Sequence, residues 1–312
     1  MIPEFPAFKK IEITDKEEIE NFTKDFPPYS DFNFISLFCW DIENKREISM
    51  LNRNLVVKLT DDMGGNEFCS ILGNNKITES VILLLTNMKE YRMKPSLRMV
   101  PQEIANVYFE PSAHLKIIED RDNFDYVYST EELSCFTGSK YGDVRNLNNR
   151  FIKKYGDDFN VKSFDLSNES NKKCLVDLCK EWSEIKEIYI SREEIAIQRL
   201  LSNSKSFNLV NIMIFVKNKP IAFTVNEVLN NNFAISHFAK ANYLYSGINA
   251  TLLKETSRKL LELGCKSLNY EEDLGLPGLR RAKESFKPVY FLKKYKISSK
   301  TGLIERMKSM LY

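Results

Sequence analysis

Apolar runs separated by short polar turns predict three consecutive strands in the second half of the chain. Residues Leu209 to Val216 are nearly all apolar, as expected of a strand in the middle of a sheet. Pro220 to Val228 and Phe233 to Ala239 form two more runs, each preceded by a turn rich in Asn or Lys. Strands joined by such short turns pair antiparallel, so the pattern predicts a three-stranded meander.

The residues around this meander predict alternating helices and strands. Two helices, at 168–187 and 191–202, precede it, and apolar residues at Ile248, Leu252 and Leu260 mark a long helix after it, closed by Gly264. A strand at 267–270, a helix at 277–286 and a last strand at 289–295 follow. This α+β order with a mixed sheet resembles the acyltransferase fold of the GNAT type, in which the third strand of the meander and the next strand are parallel and splay apart.

The first half of the chain shows a looser version of the same order. Strands are predicted at 54–60, 67–72 and 97–100, with a helix at 77–91. Leu147, Phe151 and Tyr155 lie four residues apart and predict an amphipathic helix that ends at Gly156. We therefore expect two GNAT-like domains in tandem, residues 1–156 and residues 157–312, with the active site in the second.

Charge is unevenly distributed along the 312 residues. The whole chain has 45 basic and 43 acidic residues, but Lys240 to Tyr312 contains 15 basic and 7 acidic ones. A basic C-terminal face can attract RNA, a phosphate-bearing cofactor or an anionic membrane surface. The alternative is a solvated lysine-rich surface without a partner.

Cysteine spacing and hydropathy indicate the cellular setting. None of the six cysteines forms a C-x-x-C pair, and no histidine lies near one, so no metal site is predicted. The N-terminus lacks the pattern of a signal peptide, and the longest aliphatic run, Val81 to Leu85, is far too short to span a bilayer. The sequence thus predicts a cytoplasmic protein with reduced thiols.

Three motifs carry a family resemblance. The first is Asn269-x-Glu271-x-Asp273-x-Gly275-x-x-Gly278-Leu279-x-x-x-Lys283-x-x-Phe286-x-Pro288. The others are the aromatic stretch from Phe32 to Trp40, which we interpret as core rather than as a ligand wall, and Arg145-Asn146-x-x-Asn149-Arg150-Phe151. Together they resemble the soluble relatives of the phosphatidylglycerol lysyltransferase C-terminal domain.

The resemblance implies transfer of an activated acyl group. Lysyltransferases of this type take an aminoacyl ester from a charged tRNA and place it on a lipid hydroxyl, and the Fem-type peptidyltransferases do related chemistry on a peptide amine. The implied donor is an aminoacyl-tRNA or an acyl-CoA, and the implied acceptor is a small molecule, a peptide or a lipid head group. A CoA-dependent N-acetyltransferase and a non-catalytic GNAT-like binding scaffold are the alternative functions.

Candidate catalytic residues lie where a predicted strand ends. Glu271, Glu272 and Asp273 follow the strand at 267–270, and adjacent carboxylates can raise one another's pKa toward that of a general base. They can also bind an α-ammonium group, or simply favour the N-terminus of the helix that begins at Pro277. His237 is the better placed of the two histidines for acid–base chemistry, although a lone histidine in an apolar strand is more often a core residue.

Candidate substrate-binding residues fall in two regions. Tyr243 and Gly247 precede the long helix, where GNAT enzymes hold a pyrophosphate, but Asn249 replaces a small residue and would crowd that group. The remaining candidates are Arg145 and Asn149 on the amphipathic helix, Asn269 in the strand, and Arg280 and Lys283, which share a helix face and can hold a phosphate or carboxylate.

Overall fold

The structure is a computed structural model that describes residues 1–61, 65–88, 93–107, 115–186, 191–229 and 232–299. His114 and the last residues of the helix predicted at 77–91 lie outside the described residues. In the first part of the chain, the elements are β1 (Lys9–Lys10), α1 (Lys16–Thr23), α2 (Phe34–Cys39), β2 (Glu47–Leu51), β3 (Asn54–Thr60), β4 (Glu67–Leu72), α3 (Ile77–Asn87), β5 (Ser96–Pro101), α4 (Gln102–Asn106), β6 (Leu115–Glu119), β7 (Asp125–Ser129), α5 (Thr130–Cys135) and α6 (Gly142–Tyr155).

The second part of the chain follows the predicted order closely. Its elements are β8 (Phe159–Ser163), α7 (Glu169–Lys186), α8 (Ser191–Ser202), β9 (Leu209–Val216), β10 (Lys219–Val228), β11 (Phe233–Ala241), α9 (Ile248–Glu262), β12 (Ser267–Asn269), α10 (Pro277–Ser285), β13 (Tyr290–Leu292) and β14 (Lys294–Ser299).

Local sequence sets several of these boundaries. The side chain of Asn33 caps α2 by accepting a hydrogen bond from the Ser36 N–H at 3.1 Å. Ser129 caps α5 in the same way, at 3.2 Å from the Glu132 nitrogen. Pro277 takes the first position of α10, where its missing N–H costs no hydrogen bond.

The strands form two sheets of the same design. Over the described residues, one sheet has the order β1-β2-β3-β4-β5-β14-β6, and the other, taken in the corresponding direction, has the order β8-β9-β10-β11-β12-β7-β13. In each, the fourth and fifth strands are parallel, and the neighbouring pairs on either side of them are antiparallel. The predicted fold class, α+β with mixed sheets in two GNAT-like units, is confirmed.

The two halves of the chain exchange one strand. β7 follows β6 in sequence but lies in the second sheet, whereas β14 lies in the first sheet between β5 and β6. One unit therefore comprises Met1–Asp125 with the chain from Leu292 onward, and the other comprises Tyr126–Phe291. These limits differ from the predicted domains 1–156 and 157–312, because β7, α5 and α6 belong to the second unit.

The strand predicted at 289–295 is two strands in different sheets. β13 ends at Leu292 beside β7, and β14 begins at Lys294 beside β5 and β6. The apolar pattern is continuous through this region, so it does not mark the point at which the backbone leaves one sheet for the other.

The aromatic stretch in the first unit is core, as predicted. The side chains of Phe32, Phe34, Ile35 and Leu37 are at most 1% exposed. Aromatic and aliphatic side chains of this size contribute roughly 1.5–3 kcal/mol each when fully buried. This segment therefore stabilises the first unit and offers no exposed wall for a ligand.

In the second unit, α9 is the central helix. Both α5 and α6 pack against it, and it also contacts β9, β10 and β11. A buried hydrogen bond of 2.9 Å joins Thr224 of β10 to Thr256 of α9. α9 therefore covers one face of the meander of β9, β10 and β11. The helix α7 packs against β10 and β11 as well.

Candidate active site

The parallel strands β11 and β12 separate after three residue pairs. Phe233 to Ile235 pair with Ser267 to Asn269, and the ladder ends there. β11 continues to Ala241, whereas β12 ends at Asn269 and the chain turns into the loop before α10. The carboxyl ends of neighbouring parallel strands are where sheets of this kind hold their ligands, so this opening is the candidate site.

A β-bulge places His237 at this opening. Val225 of β10 pairs with Phe238 of β11, while the next residue, Asn226, pairs with Ser236, so His237 is the extra residue of β11. Bulges bend a strand and re-aim a side chain, and they are frequent beside active sites. The imidazole of His237 lies between two carboxylates as a result.

These two carboxylates belong to Glu227 and Glu271. The His237 Nε2 atom is 3.3 Å from Oε2 of Glu227 on β10, and Nδ1 is 3.4 Å from Oε1 of Glu271 in the loop after β12. The side chains of His237 and Glu227 are 1% and 6% exposed, whereas that of Glu271 is 18% exposed. Glu271 is therefore the member of this trio that a bound substrate reaches most easily.

The trio holds its imidazole protonated at neutral pH. Burial by itself lowers the pKa of His237, but the hydrogen bonds and the negative charge of Glu227 and Glu271 outweigh burial and raise that pKa to about 9. Two carboxylates and one imidazolium give the trio a net charge of −1. A cationic group is favoured beside it over a neutral one.

This pKa makes folding stability depend on pH. Because the pKa of His237 is raised on folding, its contribution is complete below about pH 6.5 and is lost as the pH rises through about 9. We expect the free energy of unfolding to fall by on the order of 2–3 kcal/mol between these limits. Urea denaturation of the wild type and of His237→Gln measures this, and equal pH dependence in the two proteins would contradict it.

Glu271 adopts a backbone conformation that is unusual for glutamate. Its φ is +56°, in the left-handed region. The Asn269 Oδ1 atom accepts a hydrogen bond from the Glu271 N–H at 2.8 Å, and the Glu271 carbonyl accepts one from the Tyr126 N–H at 3.1 Å. Asn269, predicted to bind substrate, is completely buried and supports the loop.

Asp273 is a buried carboxylate paired with Arg280, whose side chain is 30% exposed. Its carboxylate accepts two hydrogen bonds from the Arg280 guanidinium, at 2.8 and 2.7 Å, one from Tyr126 at 2.6 Å and one from the Gly275 N–H at 2.8 Å. Burial acts to raise the pKa of Asp273, but these donors hold it below its usual value. A carboxylate so occupied does not favour the general-base role that the sequence suggested for Asp273.

The ion pair predicts different roles for the two adjacent arginines of α10. Replacing Arg280 by methionine leaves the buried carboxylate of Asp273 without its bidentate partner, and we expect a loss of about 2 kcal/mol of stability. Arg281 is exposed, and Arg281→Met is expected to change stability by less than about 0.5 kcal/mol. Chemical denaturation of both variants tests this, and equal midpoints would show that the pair adds no stability.

Lys283 and Glu272 lie close to the same loop. Lys283 is 7% exposed, and its Nζ donates to the carbonyls of Tyr270 and Glu272 at 2.5 and 2.6 Å. Arg280 and Lys283 thus share a helix face, as predicted, and their charged groups donate hydrogen bonds to the loop at 270–273. The Glu272 side chain is partly exposed.

Gly247 meets two steric requirements at the start of α9. Its φ is +88°, and a Cβ there would lie 2.1 Å from the Leu147 carbonyl oxygen of α6. The glycine therefore allows α6 to pack closely against the first turn of α9. This close contact explains why a glycine is required at position 247, so the glycine is not evidence for a pyrophosphate site. Asn249, two residues further on, is exposed.

The other candidates on α6 and near α9 form a separate group. Arg145 donates through Nη1 to the carbonyls of Phe136 and Gly138, at 2.7 and 3.0 Å, and so braces the loop between α5 and α6. Asn149 is exposed, and its neighbour Asn148 is the buried residue. Tyr243 is partly buried after β11. The described contacts do not bring these residues to the trio.

Sequence reasoning missed Glu227. It lies near the end of β10, in a run that is otherwise largely apolar, and its register partner on β11 is Ile235, two residues before His237. An acidic residue in a strand buried on both faces is costly unless it is paired. That signal, read together with a histidine on the adjacent strand, would have indicated the pair.

Several properties of the described residues bear on the chemistry. No described helix combines the length and the apolar character needed to cross a lipid bilayer. Within the same residues, no group of three His, Cys, Asp or Glu side chains is arranged to hold a metal ion. The six cysteines, all of which are described, are thiols.

The two mixed sheets, each with one parallel pair, and the opening between β11 and β12 are features of a GNAT-like fold. A family model for the C-terminal region of phosphatidylglycerol lysyltransferase matches residues 24–298. The chain belongs to this family. Family and fold together support an acyltransferase of this type.

Solved structures share this fold. A conserved protein of unknown function from Bacteroides thetaiotaomicron is 26% identical, with a TM-score of 0.83 over 96% of this chain and 100% of that one. The C-terminal domain of a presumed lysylphosphatidylglycerol synthetase from Agrobacterium fabrum is 11% identical, with a TM-score of 0.64 over 96% and 95%. The similarity to the Agrobacterium fabrum domain shows that the two chains share a fold. No functionally curated protein sequence matches the chain.

Proposed function

We propose that the protein transfers an aminoacyl group from an activated ester, such as an aminoacyl-tRNA, to an amine or hydroxyl acceptor. The observation that carries this proposal is the opening between β11 and β12 directly beside the trio of Glu227, His237 and Glu271. The acyl carbonyl would lie in this opening along β11. Family membership supports acyl transfer as the reaction type.

The trio supplies the proton transfer that the reaction needs. The acceptor nitrogen or oxygen attacks the ester carbonyl carbon, forming a new C–N or C–O bond while the bond to the ribose oxygen breaks. Glu271 takes the proton that the acceptor loses and passes it to the departing ribose oxygen, so Glu271 ends the reaction as a carboxylate. We assign the base role to Glu271 rather than to Asp273, because Asp273 is occupied by Arg280 and Tyr126.

Three features favour an aminoacyl-tRNA over acyl-CoA as the donor. The net negative charge of the trio favours an acyl group that bears an α-ammonium. At the start of α9, the position of Gly247 against Leu147 and the side chain of Asn249 leave a poor cradle for a pyrophosphate. The basic excess after Lys240 supports a polyanionic donor such as tRNA.

An assay with labelled aminoacyl-tRNA tests the proposal. Bulk tRNA is charged with each labelled amino acid in turn and incubated with the protein and with amine, peptide or lipid-head-group acceptors. We expect the ester label to move to a base-stable product with one class of amino acid, and Glu271→Gln to slow that transfer by about 10²–10⁴-fold. Hydrolysis at the uncatalysed rate with every charged tRNA would overturn the proposal.

Two further measurements separate the alternative functions. Calorimetry with acetyl-CoA is expected to give no heat of binding at millimolar ligand, and a clear heat would favour a CoA-dependent N-acetyltransferase. Binding of tRNA without any acyl transfer would favour a non-catalytic scaffold.

A further inference from the structure

The backbone around Glu271 is held at four polar groups. Its N–H donates to Asn269 and its carbonyl accepts from Tyr126, as described above. The carbonyls of the residues on either side, Tyr270 and Glu272, both accept from Lys283. A non-glycine residue with φ near +56° is disfavoured, so this conformation persists only where such contacts enforce it.

Lys283 is well suited to enforce it. Its ammonium is buried, donates to the two carbonyls at 2.5 and 2.6 Å, and lies 5.6 and 5.4 Å from the ring centres of Tyr126 and Tyr270. One cation therefore holds the peptide group that precedes Glu271 and the peptide group between Glu272 and Asp273, and it is stabilised by the faces of two rings. Lys283 fixes the peptide plane before Glu271 and Tyr126 fixes the plane after it, so together they set the direction of the Glu271 Cα–Cβ bond.

We propose that Lys283 is a positioning residue of the candidate site: by holding the carbonyls of Tyr270 and Glu272, it keeps the Glu271 carboxylate against His237. This inference rests on the catalytic role proposed for Glu271. Without the ammonium, the backbone at Glu271 relaxes to an ordinary region of φ and the carboxylate leaves the imidazole. Glu227 alone then faces the ring.

The two histidines of the chain make this directly measurable. In a His114→Asn background, a protein labelled with ¹⁵N in the histidine rings reports only on His237. We expect its NMR titration midpoint to fall by about one pH unit in Lys283→Met and to approach the value in Glu271→Gln. Arg281→Met, which changes an exposed cation on the same helix, serves as the matched control and is expected to leave the midpoint unchanged.

Two additional variants keep the test decisive if Lys283→Met does not fold. Lys283→Gln retains two N–H donors without the charge and is expected to lower the midpoint by less than Met does. Lys283→Arg retains both the charge and the donors, so we expect its titration midpoint to stay close to the wild-type value. The proposal would be overturned if a folded Met or Gln variant kept a titration midpoint within about 0.2 pH units of the wild-type value, a difference on the order of measurement error. It would also be overturned if the midpoint in the Arg variant fell as far as it does in Glu271→Gln.

The NMR measurement needs no substrate, so it separates this inference from the proposed function. A shifted midpoint in a protein that transfers no acyl group leaves the positioning role intact and removes the aminoacyl-transfer proposal. An unshifted midpoint in a folded Lys283 variant with impaired transfer removes the positioning role and leaves aminoacyl transfer standing.

Discussion

Glu271→Gln is expected to slow acyl transfer by about 10²–10⁴-fold without unfolding the protein. Glutamine has nearly the same shape and can still hydrogen-bond to His237, but it cannot accept the proton that the acceptor loses. The native carboxylate is the most exposed member of the trio, at 18%, so we expect the substitution to change the stability of the protein little. Single-turnover transfer from charged tRNA, measured with the ester-bound label, gives the rate directly.

The adjacent glutamate provides the matched control. Glu272 lies on the same loop and carries the same charge, but its backbone carbonyl, which Lys283 holds, is unchanged by substitution to glutamine. Glu272→Gln is therefore expected to lower the rate only a few-fold, through the loss of one nearby charge, by about 1 kcal/mol or less. Equal losses in the two variants would show that loop charge, and not a specific base, supports the reaction.

The elements that the sequence predicted well are those with a strong local pattern. β9, β10 and β11 have largely apolar runs bounded by polar turns, and α9 has a clear helical period closed by Gly264, whose φ is +86°. Such patterns reflect burial of a strand on both faces or of a helix on one, so they can be recognised within a window of about ten residues.

The exchange of strands could not be predicted in this way. β7 and β14 have apolar patterns that suit a buried strand in either sheet, and their partners lie far away in sequence: Val100 pairs with Tyr295, and Leu268 pairs with Tyr128. Pairing over such distances depends on which edges are open once each sheet has formed. Neither propensity nor periodicity carries that information.

The candidate site was predicted in part, for a similar reason. The carboxylates after β12 and His237 were identified because each follows or interrupts an apolar run. Their roles differ because they depend on side-chain contacts. Asp273 binds Arg280, seven residues away, whereas the left-handed backbone at Glu271 directs its side chain toward His237. Side-chain direction at a loop with positive φ is a three-dimensional property that residue spacing does not fix.

In the first unit, Lys294→Met is expected to destabilise the fold by about 3–5 kcal/mol at neutral pH. Lys294 is completely buried, with its Nζ 2.7 Å from Oδ1 of Asp125 and 3.2 Å from the Ser30 hydroxyl, and it forms a further ion pair with Asp31. Removing this cation leaves two buried carboxylates close together. Urea denaturation of both proteins measures the loss.

The exposed neighbour Lys293 is the control for this substitution. It is 39% exposed and pairs with Glu119 at the surface, so Lys293→Met is expected to change stability by no more than about 0.5 kcal/mol. A loss of similar size in the two variants would mean that the lysine stem, and not the buried charge, stabilises β14.

The pH dependence of the Lys294→Met penalty identifies its cause. Burial raises the pKa of Asp31 to about 6; Lys294 opposes this effect and Asp125 adds to it. Because this pKa is raised on folding, the contribution of Asp31 to stability is complete below about pH 4 and is lost as the pH rises through about 6. Without Lys294 the pKa rises further, so the carboxyl is protonated and neutral over a wider range. The destabilisation should therefore be smaller at pH 5 than at pH 7.5, whereas a cavity or a packing defect left by the methionine would destabilise the protein equally at both.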